Sequence, residues 1–383
     1  MVADMIARQL SAPNQSFFLF GIRGTGKSTW VRAQYPKAYR IDLLDESLYQ
    51  AYLARISLFA DELRALEAGS WAFVDEIQRL PSLLNEVHRF LEERRLKFIL
   101  TGSSARKLRR GGVNLLGGRA LRRTMYPFTP LELGRDFDIT EVLTHGSLPL
   151  IWTSPDRKEA LEAYVQLYLK EEIQAEAIVR NLPGFARFLP IAALFHAQTL
   201  NISSLARDAG VSRTTVSGYI EILEDTLVAF RLPAFEGKLR VRERKHPKLY
   251  WIDPGLVRAA RKSLDALSRE EAGPLLEGWV AVLLRMHCEY DGLFDEMHYW
   301  APADGALEVD FLLSRGKEFL ALEVKNGESL QPQHLRGLHA ISDLKGVKRR
   351  MVVYRGAKRL RLEDGIEALP LETFIELLRD GKL

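Results

Sequence analysis

At 383 residues, with 47% hydrophobic and 27% charged residues and a formal net charge of +4, the chain has a globular composition and exceeds what one core usually supports; two or three domains are expected. A single cysteine, Cys288, excludes an internal disulfide and a Cys-rich zinc site, and its apolar helical surroundings read as core. No apolar run approaches the length of a bilayer span and the N-terminus has no basic-then-apolar leader pattern, so the expectation is a cytoplasmic protein without membrane contact.

Charge is unevenly spread: +8 over residues 1–135, −5 over 136–235 and +1 over 236–383. In the first segment the apolar strand Phe17-Phe18-Leu19-Phe20 runs into Gly21-Ile22-Arg23-Gly24-Thr25-Gly26-Lys27-Ser28-Thr29, the pattern G-x-x-x-x-G-K-[ST]. Glycines 21, 24 and 26 let the backbone curl so that N–H groups converge on phosphate, with the next helix pointing its positive end at the same anion. Lys27 would neutralise phosphate charge and Ser28 would offer a hydroxyl to Mg²⁺. The expected ligand is ATP with Mg²⁺, contacted by Gly21, Gly24, Thr25, Gly26, Lys27, Ser28 and Thr29.

Trp71-Ala72-Phe73-Val74 reads as a buried parallel strand with Asp75-Glu76 at its carboxyl end, where ligands collect in open α/β sheets. Asp75 would hold the Mg²⁺ shell and Glu76 would act on the attacking water as general base. A third strand, Lys97–Leu100, leads to Thr101-Gly102-Ser103-Ser104, whose hydroxyls either sense the γ-phosphate, Thr101 and Ser103 being the choices, or cap the next helix. The glycine-rich basic loop from Arg109 to Arg119 follows, with Arg119 as the arginine-finger candidate, in its own subunit or a neighbour's.

Residues 136–200 read as mostly helical, with a core stripe at Leu161, Tyr164, Val165, Tyr168 and Leu169. Ile202–Ala209, the turn Gly210-Val211-Ser212 and a helix from Arg213 to Leu223 have the helix-turn-helix layout. Apolar runs Leu227–Phe230 and Leu249–Ile252 would pair as a wing around the basic segment Lys238–Lys248, which suits a phosphate backbone and equally a solvated loop. Glu221, Glu224 and Asp225 on the second helix leave two roles open, DNA contact through its first residues and the wing, or a purely structural or protein-docking role.

In the last third, Glu277 lies on a helical run, Asp310 begins a strand, and Glu323-Val324-Lys325 ends the next strand after a Ser314–Lys317 turn. Asp310 and Glu323 stand at strand positions able to share a divalent metal. Lys325, two residues beyond Glu323, faces the same side and can act on a water, an arrangement suited to phosphodiester hydrolysis.

Taken together, these segments resemble a widespread bacterial and archaeal group of AAA-type ATPases with a C-terminal domain of uncharacterised function. The resemblance is carried by the phosphate-loop stretch, Phe73–Gln78, Ile99–Ser104, Gly118-Arg119, Tyr126–Leu133, Leu249–Leu256, Leu276–Trp279, Glu308–Phe311 and Leu322–Lys325. It implies an α/β fold in three parts: a P-loop AAA-type ATPase domain (1–135), a helical lid and winged-helix domain (136–258), and a PD-(D/E)XK, restriction-endonuclease-like domain (259–383). Gly146-Ser147-Leu148-Pro149-Leu150 departs from the group's Gly-Gly-[FY]-Pro-Glu run. Two functions follow as expectations: an oligomeric, ATP-driven DNA-processing enzyme, with Glu277, Asp310, Glu323 and Lys325 in its nuclease-like site, or a nucleotide-dependent switch using its winged helix on a partner or operator. A small-molecule kinase is less consistent, because adjacent Asp75-Glu76 suits activation of water better than of a substrate hydroxyl.

Overall fold

The computed structural model describes residues 6–104, 116–168, 182–236, 245–302 and 307–383. Five parallel strands, β1 (Phe17–Phe20), β2 (Tyr39–Asp42), β3 (Trp71–Asp75), β4 (Lys97–Gly102) and β5 (Leu121–Thr124), form one sheet in the order β2-β3-β4-β1-β5. All four residues of β1 are buried because the sheet is covered on both faces, the reason its sequence is apolar throughout. Alternation sends Phe18 and Phe20 toward α2 (Glu46–Ala54), α3 (Ile56–Arg64) and α4 (Leu83–Glu93), and Phe17 and Leu19 toward Trp30 and Val31 of α1 (Lys27–Gln34). β1 pairs with β4 and β5 while β2, next in sequence, lies at the far edge. The chain therefore reverses direction beside β1, which opens a crevice at its carboxyl end.

The described residues of the middle of the chain are mostly helical up to Leu194. Ile202–Ala209 and Arg213–Asp225 then follow as two helices joined by a turn, Gly210 closing the first in the left-handed conformation and Ser212 capping the second by accepting from the Thr215 N–H at 3.1 Å. A small antiparallel sheet, β6 (Gln198–Thr199), β7 (Ala229–Leu232) and β8 (Lys248–Trp251), has the order β6-β8-β7. β8 is its central strand and all four of its residues are buried.

The last part is a mixed sheet of β9 (Glu296–Trp300), β10 (Val309–Arg315), β11 (Glu318–Lys325), β12 (Val347–Tyr354), β13 (Leu360–Arg361) and β14 (Glu367–Pro370), in the order β13-β14-β12-β11-β10-β9. The β10–β11 hairpin turns at Gly316-Lys317, so both strands reach further than the sequence suggests. The helix Arg269–Asp291 packs on both β11 and β8, and one apolar core runs from Ile22 through the helical middle to Leu378. At its far end Glu289 accepts from the Thr124 N–H (2.6 Å) and the Tyr126 hydroxyl (2.9 Å), fastening the C-terminal part to the edge of the first sheet. Among the described residues no helix is long and apolar enough to cross a membrane.

Candidate functional site

The loop 21–26 leaves the carboxyl end of β1 and delivers Lys27 as the first residue of α1. Gly24 and Gly26 have φ of 84° and 83°, a region that costs a side chain, and a Cβ on Gly21 would stand 2.7 Å from the Met125 carbonyl. Lys27 folds back over the loop and donates to the carbonyls of Gly21 (2.7 Å) and Ile22 (3.2 Å), while the Thr25 hydroxyl donates to Ile22 at 2.9 Å. Ser28 is half-buried on the first turn of α1 and Thr29 is exposed. This is an anion cradle already in its curled form, and its residues fit a nucleoside triphosphate.

Across the crevice, Asp75 is the last residue of β3 and is buried. β4 runs two residues beyond the expected strand, which places Thr101 inside the sheet with its hydroxyl donated to Asp75. Glu76 turns out of the strand with φ 57°, its N–H directed at the Thr101 hydroxyl (3.3 Å). Its carboxylate accepts from the Gln78 amide, which also donates to Ser103 at 3.1 Å. Thr101 and Ser103 are thus gathered on the acidic pair, one directly and one through Gln78. Burial raises the Glu76 pKa; the Lys27 charge opposes this, Asp75 adds to it, and Gln78 and Arg23 oppose it. The sequence assigns Gln78 no role beyond its place in the stretch Phe73–Gln78. Its trace there is Gly102, where a Cβ would run into the Gln78 amide.

Arg119 lies elsewhere. It precedes β5, whose Leu121 pairs with Phe17 at the start of β1, so it stands at the opposite end of the sheet from its own phosphate loop, a strand length of about 13 Å away. There it is ion-paired with Glu92. The rest of the basic loop, 105–115, lies outside the described residues.

Two further residues support the phosphate loop, Arg8, to which the sequence assigns no role, and Leu150, in the stretch already singled out as a departure. The buried Arg8 guanidinium donates to the Thr25 carbonyl (2.7 Å), reaches the Tyr126 carbonyl and pairs with Glu132 at 3.0 Å. On the other side Leu150, one of the positions where the chain departs from its resembled group, packs on Gly24 and donates its N–H to the Gly24 carbonyl at 3.1 Å. The loop carrying Leu150 is held in turn by Asp253, a fully buried carboxylate that accepts from the Ser147 N–H at 2.7 Å and the Leu256 N–H at 3.2 Å. Burial raises the Asp253 pKa to about 6 even against these backbone donors. Asp253→Asn aims an amide N–H₂ at backbone donors; the expected result is a loss of about 1–3 kcal/mol in stability, and slower nucleotide turnover although residue 253 does not touch the cradle. Melting curves and phosphate release on the same preparation check both.

The C-terminal carboxylates also converge. Phe311 pairs with Leu322, setting Asp310 beside Glu323, and the Val324 N–H donates to Asp310 at 2.8 Å. Lys325 donates to Glu323 at 2.8 Å and lies 3.7 Å from Asp310. Glu277, Glu308 and Asp310 have carboxylate oxygens within 4.8 Å of one another, a spacing that would suit a metal ion. In their midst sits the ammonium of Lys248 from β8: 2.9 Å from Glu277, in contact with Glu308 and 3.7 Å from Asp310. Tyr250 donates to the same Glu277 oxygen at 2.6 Å. Burial raises Glu277 to about 7, Asp310 adding and Lys248 opposing. Burial alone would raise Asp310 as well, but Lys325 and Lys248 overcome it and hold that carboxyl near 2. Lys248, expected in an exposed basic segment, is 1% exposed; of that segment, 237–244 lies outside the described residues. A divalent metal does not fit this arrangement, because a cation already occupies its position.

Residues 13–133 match the family described as an AAA domain, residues 136–267 a domain of unknown function (DUF8612), and residues 272–374 another domain of unknown function (DUF4143). Uncharacterized proteins of Mycobacterium tuberculosis and Mycobacterium bovis are each 25% identical over 365 residues, spanning 93% of this chain and 80% of the relative. Similar solved structures include the Aeropyrum pernix Orc1 protein in complex with DNA (15% identity, 66% of this chain and 87% of that one, TM-score 0.26). Another is the replication initiator DnaA bound to AMPPCP and single-stranded DNA (16% identity, 56% and 84%, TM-score 0.26). At these scores neither structure bears on the reading of this chain. The AAA match and the parallel sheet with its phosphate loop together support a P-loop ATPase domain.

Proposed function

We propose that this chain is a Mg²⁺-dependent ATPase whose nucleotide state governs how its middle and C-terminal parts are held, and which acts on or is regulated by DNA. The observation that carries the reading is the pairing of a curled phosphate cradle with a buried Asp75-Glu76 pair across the same crevice. Ser28 and Asp75 are the residues that would hold Mg²⁺, which supplies charge neutralisation on the phosphates. Lys27 binds and orients the triphosphate. Glu76, raised by burial and steadied by Gln78, takes the proton from a water directed at the γ-phosphate. Thr101 orients Asp75, and Ser103 acts through Gln78. Arg119 faces away from its own cradle and serves as a finger in a neighbouring copy, which makes a homo-oligomer part of the proposal.

The middle part has the element order of a winged helix, and Arg213, Thr214 and Ser217 are exposed at the start of its second helix. The acidic end of that helix is partly offset by Arg231, which grips Glu224 at 2.6 and 2.9 Å. These features support DNA contact through the helix start and the basic segment. Replacing Lys238, Arg240, Arg242 and Arg244 together should weaken DNA binding alike for every sequence and flatten its salt dependence by about one unit per lost phosphate contact. An unchanged salt slope removes this segment from the interface.

Of the two expected modes of action, the internal ammonium in the C-terminal cluster favours a switch over a cutting motor. The mixed sheet bearing Asp310, Glu323 and Lys325 supports a nuclease-like architecture without requiring cleavage. The deciding assay is phosphate release with and without single-stranded, duplex and branched DNA: slow turnover indifferent to DNA matches the switch, and strong DNA acceleration matches the motor.

A further inference from the structure

We infer that Lys248 is a tethered cation that fills the metal position of the C-terminal carboxylate cluster, so that the cluster clamps β8 in place and takes no divalent ion in the intact chain. The inference rests on reading Glu277, Glu308 and Asp310 as a metal-type site, and not on ATP turnover.

Geometry comes first. The carboxylates whose oxygens lie within 4.8 Å of one another are the same three that surround the Lys248 ammonium. A monovalent charge on a side-chain tether therefore stands where a free ion would have to stand, and an ion cannot enter without displacing it.

The tether is also short and anchored. Lys248 is the first residue of β8, whose backbone pairs with β7 on one side (Leu232 opposite Lys248) and β6 on the other (Thr199 opposite Lys248). Withdrawing the ammonium by moving the strand breaks both ladders. Tyr250, on the same face two residues on, donates to the Glu277 oxygen that Lys248 also uses, so that oxygen already accepts two bonds. The ammonium is cut off from water, and its burial is tolerable because several carboxylates surround it.

The clamp joins elements that are separate in sequence. β8 belongs to the small middle sheet, Glu277 to the helix Arg269–Asp291 and Asp310 to the start of β10, and Glu308 is the residue just before that strand. Three residues past Tyr250 and just beyond β8, Asp253 holds the loop that carries Leu150 onto Gly24. One short segment, 248–253, thus touches the acidic cluster at one end and the support of the phosphate loop at the other.

The test is Mn²⁺ binding to the full-length chain without nucleotide, followed by titration calorimetry. Wild type should show no Asp310-dependent site, which comparison with Asp310→Asn reveals. Lys248→Met should gain a site at least about tenfold tighter than any in wild type, lost again in Lys248→Met/Asp310→Asn. An Asp310-dependent site in wild type as tight as in Lys248→Met overturns the inference. Should Lys248→Met not fold, acylation of wild-type lysines decides: Lys248 is expected to resist an amine-reactive reagent that labels the exposed Lys348, and equal labelling of the two overturns it. ATPase assays on the same wild-type sample report on the nucleotide reading separately.

Discussion

Glu76→Gln should leave nucleotide binding intact while lowering turnover by at least about a hundredfold, the scale of a general base. The two readouts are a fluorescent-nucleotide titration and phosphate release, and wild-type turnover in the variant would sink the assignment. Lys27→Ala should instead lose binding itself, since on the proposed reading the ammonium that the Gly21 and Ile22 carbonyls position is the one that meets the phosphates. Stability adds a sign that separates a base from a structural residue. Burial holds the Glu76 carboxyl above its ordinary range. The stability associated with that group is therefore fully present below its unfolded pKa and is lost as pH rises through the raised folded value. At neutral pH the wild type carries this cost and the amide does not, so Glu76→Gln should melt no lower than wild type at pH 7–8, and its advantage should shrink toward pH 4. Turnover runs the other way: the base is lost as pH falls, giving an acid limb above the usual carboxylate range.

The largest stability effect is expected at Lys248. Lys248→Met removes the ammonium shared by the buried Asp310, the largely buried Glu277 and the partly exposed Glu308, and stripping a partner from such a cluster costs about 3–5 kcal/mol. Hydrogen exchange at the amides of β8 and β11, without divalent ions, should show the loss locally while β1 and β3 keep their protection. A change under about 1 kcal/mol there would mean that the ammonium does not compensate buried, ionised carboxylates. The Lys248→Met/Glu277→Gln chain should recover part of the loss, because fewer uncompensated charges remain.

What was legible in the sequence was local. The phosphate loop needs glycines and a lysine at fixed spacing on one turn of chain, and Asp75-Glu76 are consecutive at the end of an apolar strand. Asp310, Glu323 and Lys325 sit on one hairpin, where two-residue alternation already places them together. Residues whose role comes from distant partners left no such pattern. Arg8 meets Glu132 across 124 positions of sequence. Gln78 finds Ser103 across 25. Lys248 was the most misleading, since a lysine preceded by several basic residues looks like one more solvated charge. Its burial follows from β8 being the central strand of a small sheet, which short apolar runs do not announce. Arg119 shows the converse: the sequence singles out the side chain, but strand direction decides which end of the sheet it occupies.

Lys248 and the carboxylates it neutralises fall on opposite sides of the stretch 268–271 that separates the two C-terminal family matches. A fragment cut there would carry Glu277, Glu308 and Asp310 without their ammonium, turning a filled clamp into an open chelator. On the inference above, such a piece should bind Mn²⁺ where the whole chain does not, and cleavage seen with it would not describe the whole chain. Tests of metal binding or cleavage by the last domain therefore need β8 present.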